Sequence, residues 1–571
     1  LGTGKAKGDE NRLIGYFGRI THNDTDVFMN TVFLLVLLLI WGAGTALRAY
    51  KQARFYQIEE YKIGRYARWW IKARDRLFPT RPIIVTAIGA VMIFIFSESP
   101  DSPLPLIIGI IVAIIANIPP DEGEIKKKFR HTPRANRLLG ATAVWIAIAF
   151  VGIIALFGAL DMDSERFQAL LAIAIGLVAH LLAPIFLMLG NIAMMPIEAF
   201  LRGRFIGSAK RVMKQINPTV IGITGSYGKT TTKVILTEIL NGRYKAYPTP
   251  KSFNTMMGVC IAINNDLKND FSFDYFVVEM GAYIRGEIQR ICKLTPPQIS
   301  IVVEVGPQHL ERFGSLENIA IAKYEIIKEL PPDGVGVFNW DNPYVRQMAE
   351  KGYPKTRLLV SKTVSPDDPQ GVRFVGSDIK ESLEGLSFTV TDTQTGETAL
   401  FETSLLGEHN VTNILLSTAV AVHEGIKLRD VAVRVRGLRP AESRLVRQVA
   451  EGITIINDAY SANPAGVVSA LKVLRLHTGK RVVITPGMVE LGALHYPENY
   501  KLGELLTDHA TDVILVGAEQ TKPILDGLKE SGFPYDRLLV VDELREAITW
   551  YQTHLVAGDT VLFLNDLPDT Y

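Results

Sequence analysis

An α-helical transmembrane bundle followed by α/β domains is the fold class the sequence predicts. Three observations predict it. Five stretches in the first third of the chain contain no Asp, Glu, Lys or Arg: residues 27–47, 82–97, 102–120, 138–160 and 167–197. From about Pro218 onward, short β-branched runs alternate with amphipathic stretches. The first of those runs enters a glycine-containing turn and then a helical pattern. Composition agrees. Of 571 residues, 48% are hydrophobic and 21% charged, and the mean hydropathy is +0.17. That is too apolar for a disordered chain, and the excess sits before the change of pattern. Cys260 and Cys292 are the only cysteines. They exclude a disulfide framework, a four-Cys zinc ribbon and a Cys-ligated cluster, and both read as small core residues. A net charge of +2 carries no nucleic-acid footprint. The chain opens on Leu1 rather than Met, which leaves room for residues upstream.

A membrane region over residues 1–200 follows from the apolar stretches, since a spanning helix needs about 20 apolar residues. The expected spans are 27–47, 82–97, 102–120, 138–160 and 167–190. The second is short, a span with little tilt or a re-entrant segment. The fifth stretch contains Pro184 and reads as a span followed by an interfacial segment. The loops set the orientation. Those between the first and second and the third and fourth spans are rich in Arg and Lys, whereas ESPD and DMDSER carry almost no positive charge. The positive-inside rule then places the N-terminus outside and everything after about Glu198 in the cytoplasm. The expectation is a multi-pass protein of the cell (inner) membrane, with the bilayer as a partner.

The soluble part divides in two. TVIGITG, DYFVVEMG, QISIVVEVG and GVGVFNWD are the strands of a parallel-sheet domain over residues 215–440. A Thr-rich, more β-like patch follows near 376–402. After a break near 438–447, GITIINDAY, KRVVITPG, TDVILVG, RLLVVDE and DTVLFLND give a smaller Rossmann-like α/β domain over residues 441–571.

VIGITGSYGKTTTKVILTEIL (220–240) carries the strongest chemical signal. Gly225 and Gly228 let backbone N–H groups approach a phosphate. Lys229 brings a cation to the β/γ-phosphates, Thr230 a hydroxyl to Mg²⁺, and the helix start its dipole. Ile223 holds the first glycine position of the strict eight-residue P-loop, so the generic pattern is only partly met. Glu279 ends the strand DYFVVEMG, the place where Mg²⁺–nucleotide sites lie in open α/β sheets, and reads as a metal ligand. This is a P-loop, ATPase-type domain.

With these motifs in place the sequence resembles the Mur ligase family, whose members use ATP to join an amino acid or peptide to a carboxylate on a cell-wall precursor. The motifs recur in order from about residue 215 to the end. SFNTMMGV (252–259), VVEMGAYIRGEI, GPQHLERFGSLENIAIAKYEI (306–326), GEHNVTN (407–413), and AESR followed by INDAYSANP (456–464) carry the likeness. ITPGMVELG and LFLNDLPDTY are similar to the member whose amine is D-alanyl-D-alanine.

The resemblance implies roles. The loop Gly225, Ser226, Tyr227, Gly228, Lys229, Thr230 and Thr231 would hold the triphosphate of ATP. Thr230 and Glu279 would bind a first Mg²⁺. His309 and a carbamylated Lys323 would support a second, because a carbamate offers hard oxygens where a free ammonium would repel the ion. Asn410 and Asn413 would lie at the adenine side. Arg444 would approach the phosphates and Asp458 the ribose, with Tyr460 and Asn463 shaping the same cleft. Lys229, His309 and Lys323 are the expected catalytic set.

The implied activity is a membrane-anchored ATP-dependent amide ligase of cell-wall precursor synthesis. It would join D-Ala-D-Ala or a similar amine to a muramyl-peptide carboxylate through an acyl phosphate. The sequence departs from the family upstream, where membrane spans stand in place of the domain that holds the UDP-sugar. Either that domain precedes Leu1, or the donor is lipid-linked rather than UDP-linked. Alternative functions are a ligase resembling poly-γ-glutamate synthetases and a non-catalytic membrane nucleotide-binding protein. Intact Lys229, Glu279, His309, Lys323 and Asp458 argue against the last.

Overall fold

The computed structural model describes residues 7–72, 74–96, 102–119, 129–160, 164–440, 444–459 and 462–564, with side chains from residue 28 onward except at Arg74. Two compact units result, Leu1–Arg202 and Gly203–Thr570.

The first unit is helical. Its helices are Lys7–Ile58, Ile63–Lys72, Arg74–Leu77, Thr80–Phe96, Leu104–Asn117, Pro133–Ala159, Glu165–Leu181 and the start of Ala183–Ile216. Leu37, Leu38, Trp41, Ile93, Leu106 and Ile173 form its buried centre. Helices approach closely where a side chain is missing: a Cβ on Gly176 would lie 2.3 Å from the Trp41 ring. The outer face is apolar as well, with Phe28, Leu39, Phe94 and Val151 each at least 65% exposed.

By length and composition, three helices are apolar enough to cross a membrane: Phe28–Ile58, Pro133–Ala159 and Ala183–Ile216. The expected spans 82–97 and 102–120 are helices of 17 and 14 residues, which at about 1.5 Å per residue fall short of a full span. The fifth stretch is divided rather than continuous. Pro184 lacks an N–H and its ring would meet the carbonyl four residues back. One helix therefore ends at Leu181 and another begins at Ala183, with proline near its start, where the missing donor costs nothing.

The second unit holds two sheets. The larger contains β1 (Thr219–Thr224), β2 (Ala246–Pro248), β3 (Tyr275–Glu279), β4 (Ile299–Val302), β5 (Val335–Asn339), β6 (Thr356–Ser361), β7 (Phe374–Ser382), β8 (Gly385–Asp392) and β9 (Glu397–Thr403). Their order is β2-β3-β1-β4-β5-β6-β7-β8-β9. Pairing is parallel from β2 to β7 and antiparallel across β7, β8 and β9. Strands β1, β3, β4 and β5 are buried on both faces, hence their apolar runs. The Thr-rich patch alternates buried and half-buried residues along β8, as an antiparallel sheet with one face on the core requires.

The smaller sheet contains β10 (Val446–Ala450), β11 (Ile453–Asp458), β12 (Arg481–Thr485), β13 (Asp512–Val516), β14 (Leu538–Val541) and β15 (Thr560–Leu564). Their order is β10-β11-β15-β12-β13-β14, with β10 antiparallel to an otherwise parallel set. Register sets up the site. Ile223 lies opposite Glu279 and Thr224 opposite Val302. The glycine turn after β1 therefore opens level with the carboxylate that ends β3.

Candidate active site

The turn after β1 leads into helix Lys229–Leu240 through Gly228, whose φ is +78°. A Cβ there would lie 2.6 Å from Asn413 Oδ1 and 2.7 Å from Val303 Cγ1, so only glycine fits. Ser226 locks the turn: its N–H donates to Glu304 O, and its hydroxyl donates to Gly306 O at 2.9 Å. Lys229 folds over its own loop, donating from Nζ to Gly225 O at 2.7 Å and Ser226 O at 3.0 Å. Burial pushes its pKa down to about 8, against the pull of Glu279. A cation resting on carbonyls at a helix start is poised to move onto a phosphate.

Glu279, at 1% exposed, is enclosed by donors. Thr230 Oγ1 reaches its Oε2 at 3.0 Å and Lys233 Nζ the same oxygen at 3.1 Å. Asn254 Nδ2 reaches Oε1 at 3.0 Å, and the Glu279 backbone N–H donates to Thr249 Oγ1. Burial works against the charge, but Lys233 and Lys229 outweigh it and hold the carboxyl below its usual range. Lys233 also donates to Lys251 O, tying the 251–254 loop to the helix.

A cavity of about 970 Å³ opens above this centre, large enough for a nucleotide. Among the residues singled out from sequence, Ser226, Tyr227, Gly228, Lys229, Thr230, Thr231, Glu279, His309, Lys323, Asn410, Asn413, Arg444, Asp458 and Asn463 all line it. Gly225 lies beneath the loop, where a Cβ would sit 3.0 Å from Tyr227 O. Tyr460 lies outside the described residues.

Several of these side chains are committed to the frame. Asn413 accepts from Thr232 Oγ1 and donates to Asn410 Oδ1, while Asn410 donates to Leu406 O. Together they brace the phosphate turn. Asn463 caps helix Pro464–Arg475 by accepting from Gly466 N. Arg444 reaches Thr230 Oγ1 at 3.4 Å. Asp458 accepts from Leu445 N, and burial pushes its pKa up to about 6. Lys323 is 3% exposed. Burial, with Lys229 nearby, carries its pKa well below the usual lysine range.

Residues that sequence reasoning missed complete the wall. Lys362 Nζ (2.6 Å) and Lys472 Nζ (3.3 Å) both bind Glu408, joining the two sheets' domains. His409 is kept neutral, its pKa pushed down to about 4 by burial and then by Lys362 and Arg444. Glu490 meets the His309 imidazole at Nδ1. Lys233 had a signal, its place four residues after Lys229 and thus on the same helix face. Lys362, Lys472 and Glu490 come from separate elements that only the fold assembles.

The oxygen donors Thr230 and Glu279 suit a hard divalent cation completed by phosphate oxygens and water. Among the described residues, no group of three His, Cys, Asp or Glu side chains is placed to hold a metal by itself.

A phosphate turn, a strand-end carboxylate and a second α/β domain across the cavity define an ATP-dependent ligase. Residues 223–421 match the Mur ligase middle domain, and residues 443–565 the Mur ligase, glutamate ligase domain. The UDP-N-acetylmuramoyl-tripeptide–D-alanyl-D-alanine ligase of Bacillus subtilis is 30% identical over 359 residues, 62% of this chain and 74% of the relative. That of Escherichia coli is 30% identical over 351 residues, 61% and 75%. The crystal structure of MurF from Acinetobacter baumannii superposes with a TM-score of 0.55 at 26% identity, covering 63% of this chain and 76% of that one. MurF from Thermotoga maritima in complex with ADP gives 0.55 at 25%, covering 64% and 81%. The chain belongs to the Mur ligase family. Within it, the chain is a MurF-like ATP-dependent ligase of peptidoglycan synthesis.

Proposed function

We propose that this chain is a membrane-anchored ligase that joins D-Ala-D-Ala or a similar amine to the terminal carboxylate of a muramyl tripeptide. A carboxylate oxygen of the donor attacks the γ-phosphorus of ATP, the bond to the β-phosphate oxygen breaks, and ADP leaves. The unprotonated amine then attacks the acyl carbon, inorganic phosphate leaves, and the nitrogen loses its proton as the amide forms. The chain's part is positioning and charge. Lys229 moves from its loop carbonyls to the transferring phosphoryl group, and Arg444 approaches from the C-terminal domain. Mg²⁺ bound beside Thr230 and Glu279 supplies positive charge to the phosphate oxygens.

The observation carrying this reading is the buried cluster of Thr230, Lys233, Asn254 and Glu279 beside Lys229 in one cavity. Lys323 would be carbamylated and His309 would face a second ion. What supports this is a buried amine in the same cavity, whose pKa burial carries well below the usual lysine range, toward the neutral form that adds to CO₂. The apolar outer face of the first unit supports anchoring in a bilayer. The donor is either lipid-linked at the membrane surface or UDP-linked.

Purified protein with ATP, Mg²⁺ and D-Ala-D-Ala should release phosphate with UDP-MurNAc-tripeptide or with its lipid-linked form. Silence with both donors removes the reading, and glutamate-dependent polymer formation replaces it with the poly-γ-glutamate alternative. In the same assay Lys323→Ala should lose activity and regain part of it with short carboxylates. Absence of rescue removes the carbamate.

A further inference from the structure

Glu490 belongs to the C-terminal domain but meets the imidazole of His309 in the middle domain, at Nδ1. The contact is built from both sides. His309 has φ +55° and Glu490 φ +61°, left-handed values that side chains other than glycine seldom adopt. Strained backbone of this kind persists where the surroundings over-determine it and concentrates at functional sites. The Tyr283 ring lies edge-on to His309 at 4.6 Å, and Arg312 covers that ring at 4.5 Å. Arg312 also reaches Glu490 Oε1 at 3.7 Å. Gly492 follows closely, since a Cβ there would lie 3.3 Å from Glu311 Cα. The imidazole is thus fixed in tilt by an aromatic wall and in tautomer by a carboxylate. With Nδ1 donating to Glu490, Nε2 is the nitrogen that carries the free lone pair, and His309 lines the cavity with Thr230, Glu279 and Lys323.

We infer that Glu490 is a positioning residue that orients His309 as a metal ligand, so that this ligand is correctly set only when the C-terminal domain is docked. The inference rests on the proposed role of His309 and adds to it a coupling between C-terminal-domain docking and metal affinity. Carboxylates behind metal-bound histidines fix tautomer and raise basicity, and their loss weakens metal binding about 10- to 100-fold.

Mn²⁺ binding to the full chain in the presence of ADP, followed by electron paramagnetic resonance, tests it. Glu490→Ala should weaken one Mn²⁺ site by about tenfold or more. Glu490→Gln should fall between, because its amide oxygen still accepts from Nδ1–H without charge. Arg312→Ala breaks the other half of the contact and should leave Mn²⁺ affinity within about twofold of the wild type. In turnover, Glu490→Ala should raise the Mg²⁺ requirement while the ATP KM at saturating Mg²⁺ stays unchanged. If His309→Ala loses the site and Glu490→Ala keeps it, the inference is wrong and the ligand role of His309 survives. If Arg312→Ala weakens Mn²⁺ as much as Glu490→Ala, docking alone is responsible and the positioning role is wrong. If His309→Ala leaves Mn²⁺ unchanged, the ligand role itself fails and the inference with it.

Discussion

His409 shows what burial does to one titratable ring. Enclosed beneath Gly407 and beside Lys362 and Arg444, it is neutral in the folded protein, with a pKa of about 4. In the unfolded chain it titrates near 6.5. Between those values the unfolded state binds more protons, so acid favours unfolding. The stability that neutral His409 preserves is complete above about pH 6.5. It is lost as pH falls toward 4, by about 3 kcal/mol in all. His409→Gln cannot titrate, so the melting-temperature gap between wild type and variant should shrink steadily from pH 7 to pH 4.5. A gap independent of pH would show that His409 does not change charge in this range. The motif around it, GEHNVTN, is legible in the sequence, but the bracing bonds of its two asparagines are not. In the structure Asn410 and Asn413 spend their amides on each other, Leu406 and Thr232. Sequence shows that a polar side chain is present, whereas its partner depends on which helix the fold brings alongside.

At the scale of elements, the phosphate turn was readable because its parts are contiguous. The run expected to be a strand over residues 219–224 is β1 at Thr219–Thr224, and the helix begins at Lys229. Strand-end chemistry was equally local, since Glu279 closes an unbroken apolar run. What could not be read was the brace under the turn, in which Val303 and Asn413 arrive from 75 or more positions away. That brace gives Gly228 its consequence. Alanine there would combine a left-handed backbone, costing about 1–2 kcal/mol, with an overlap against Asn413 and Val303. Gly228→Ala should lower the melting temperature and raise the ATP KM by about tenfold or more. The KM for the amine should change less, because the substitution lies in the phosphate turn. Kinetics indistinguishable from wild type would show that the turn tolerates a Cβ and that the helix start is not held as described.

For the whole molecule, the decisive quantity is the length of apolar helix. Phe28–Ile58, Pro133–Ala159 and Ala183–Ile216 are long enough to cross a bilayer. Thr80–Phe96 and Leu104–Asn117 are not, at about 25 and 21 Å of helix against a core of about 30 Å. They are consecutive, so a thinned bilayer or a re-entrant pair returns the chain to the same side in either case. The orientation set by the basic loops is therefore insensitive to that choice. On the proposed orientation, residues 48–81 and 129–137 would lie on the cytoplasmic side and Ser164 on the outer side. Cys260 and Cys292 are buried, so an introduced cysteine reports alone. Gly64 is exposed, and a Cβ there meets nothing within 4 Å. Ser164 precedes helix Glu165–Leu181 without a capping bond from its side chain. In intact cells, Ser164→Cys should react with a membrane-impermeant maleimide. Gly64→Cys should react only after the membrane is opened. The reverse pattern would invert the topology and put the ATP cavity on the side that has no ATP, which the ligase chemistry could not survive. Labelling of both positions in intact cells, with the chain recovered in the soluble fraction, would remove the bilayer from the proposal.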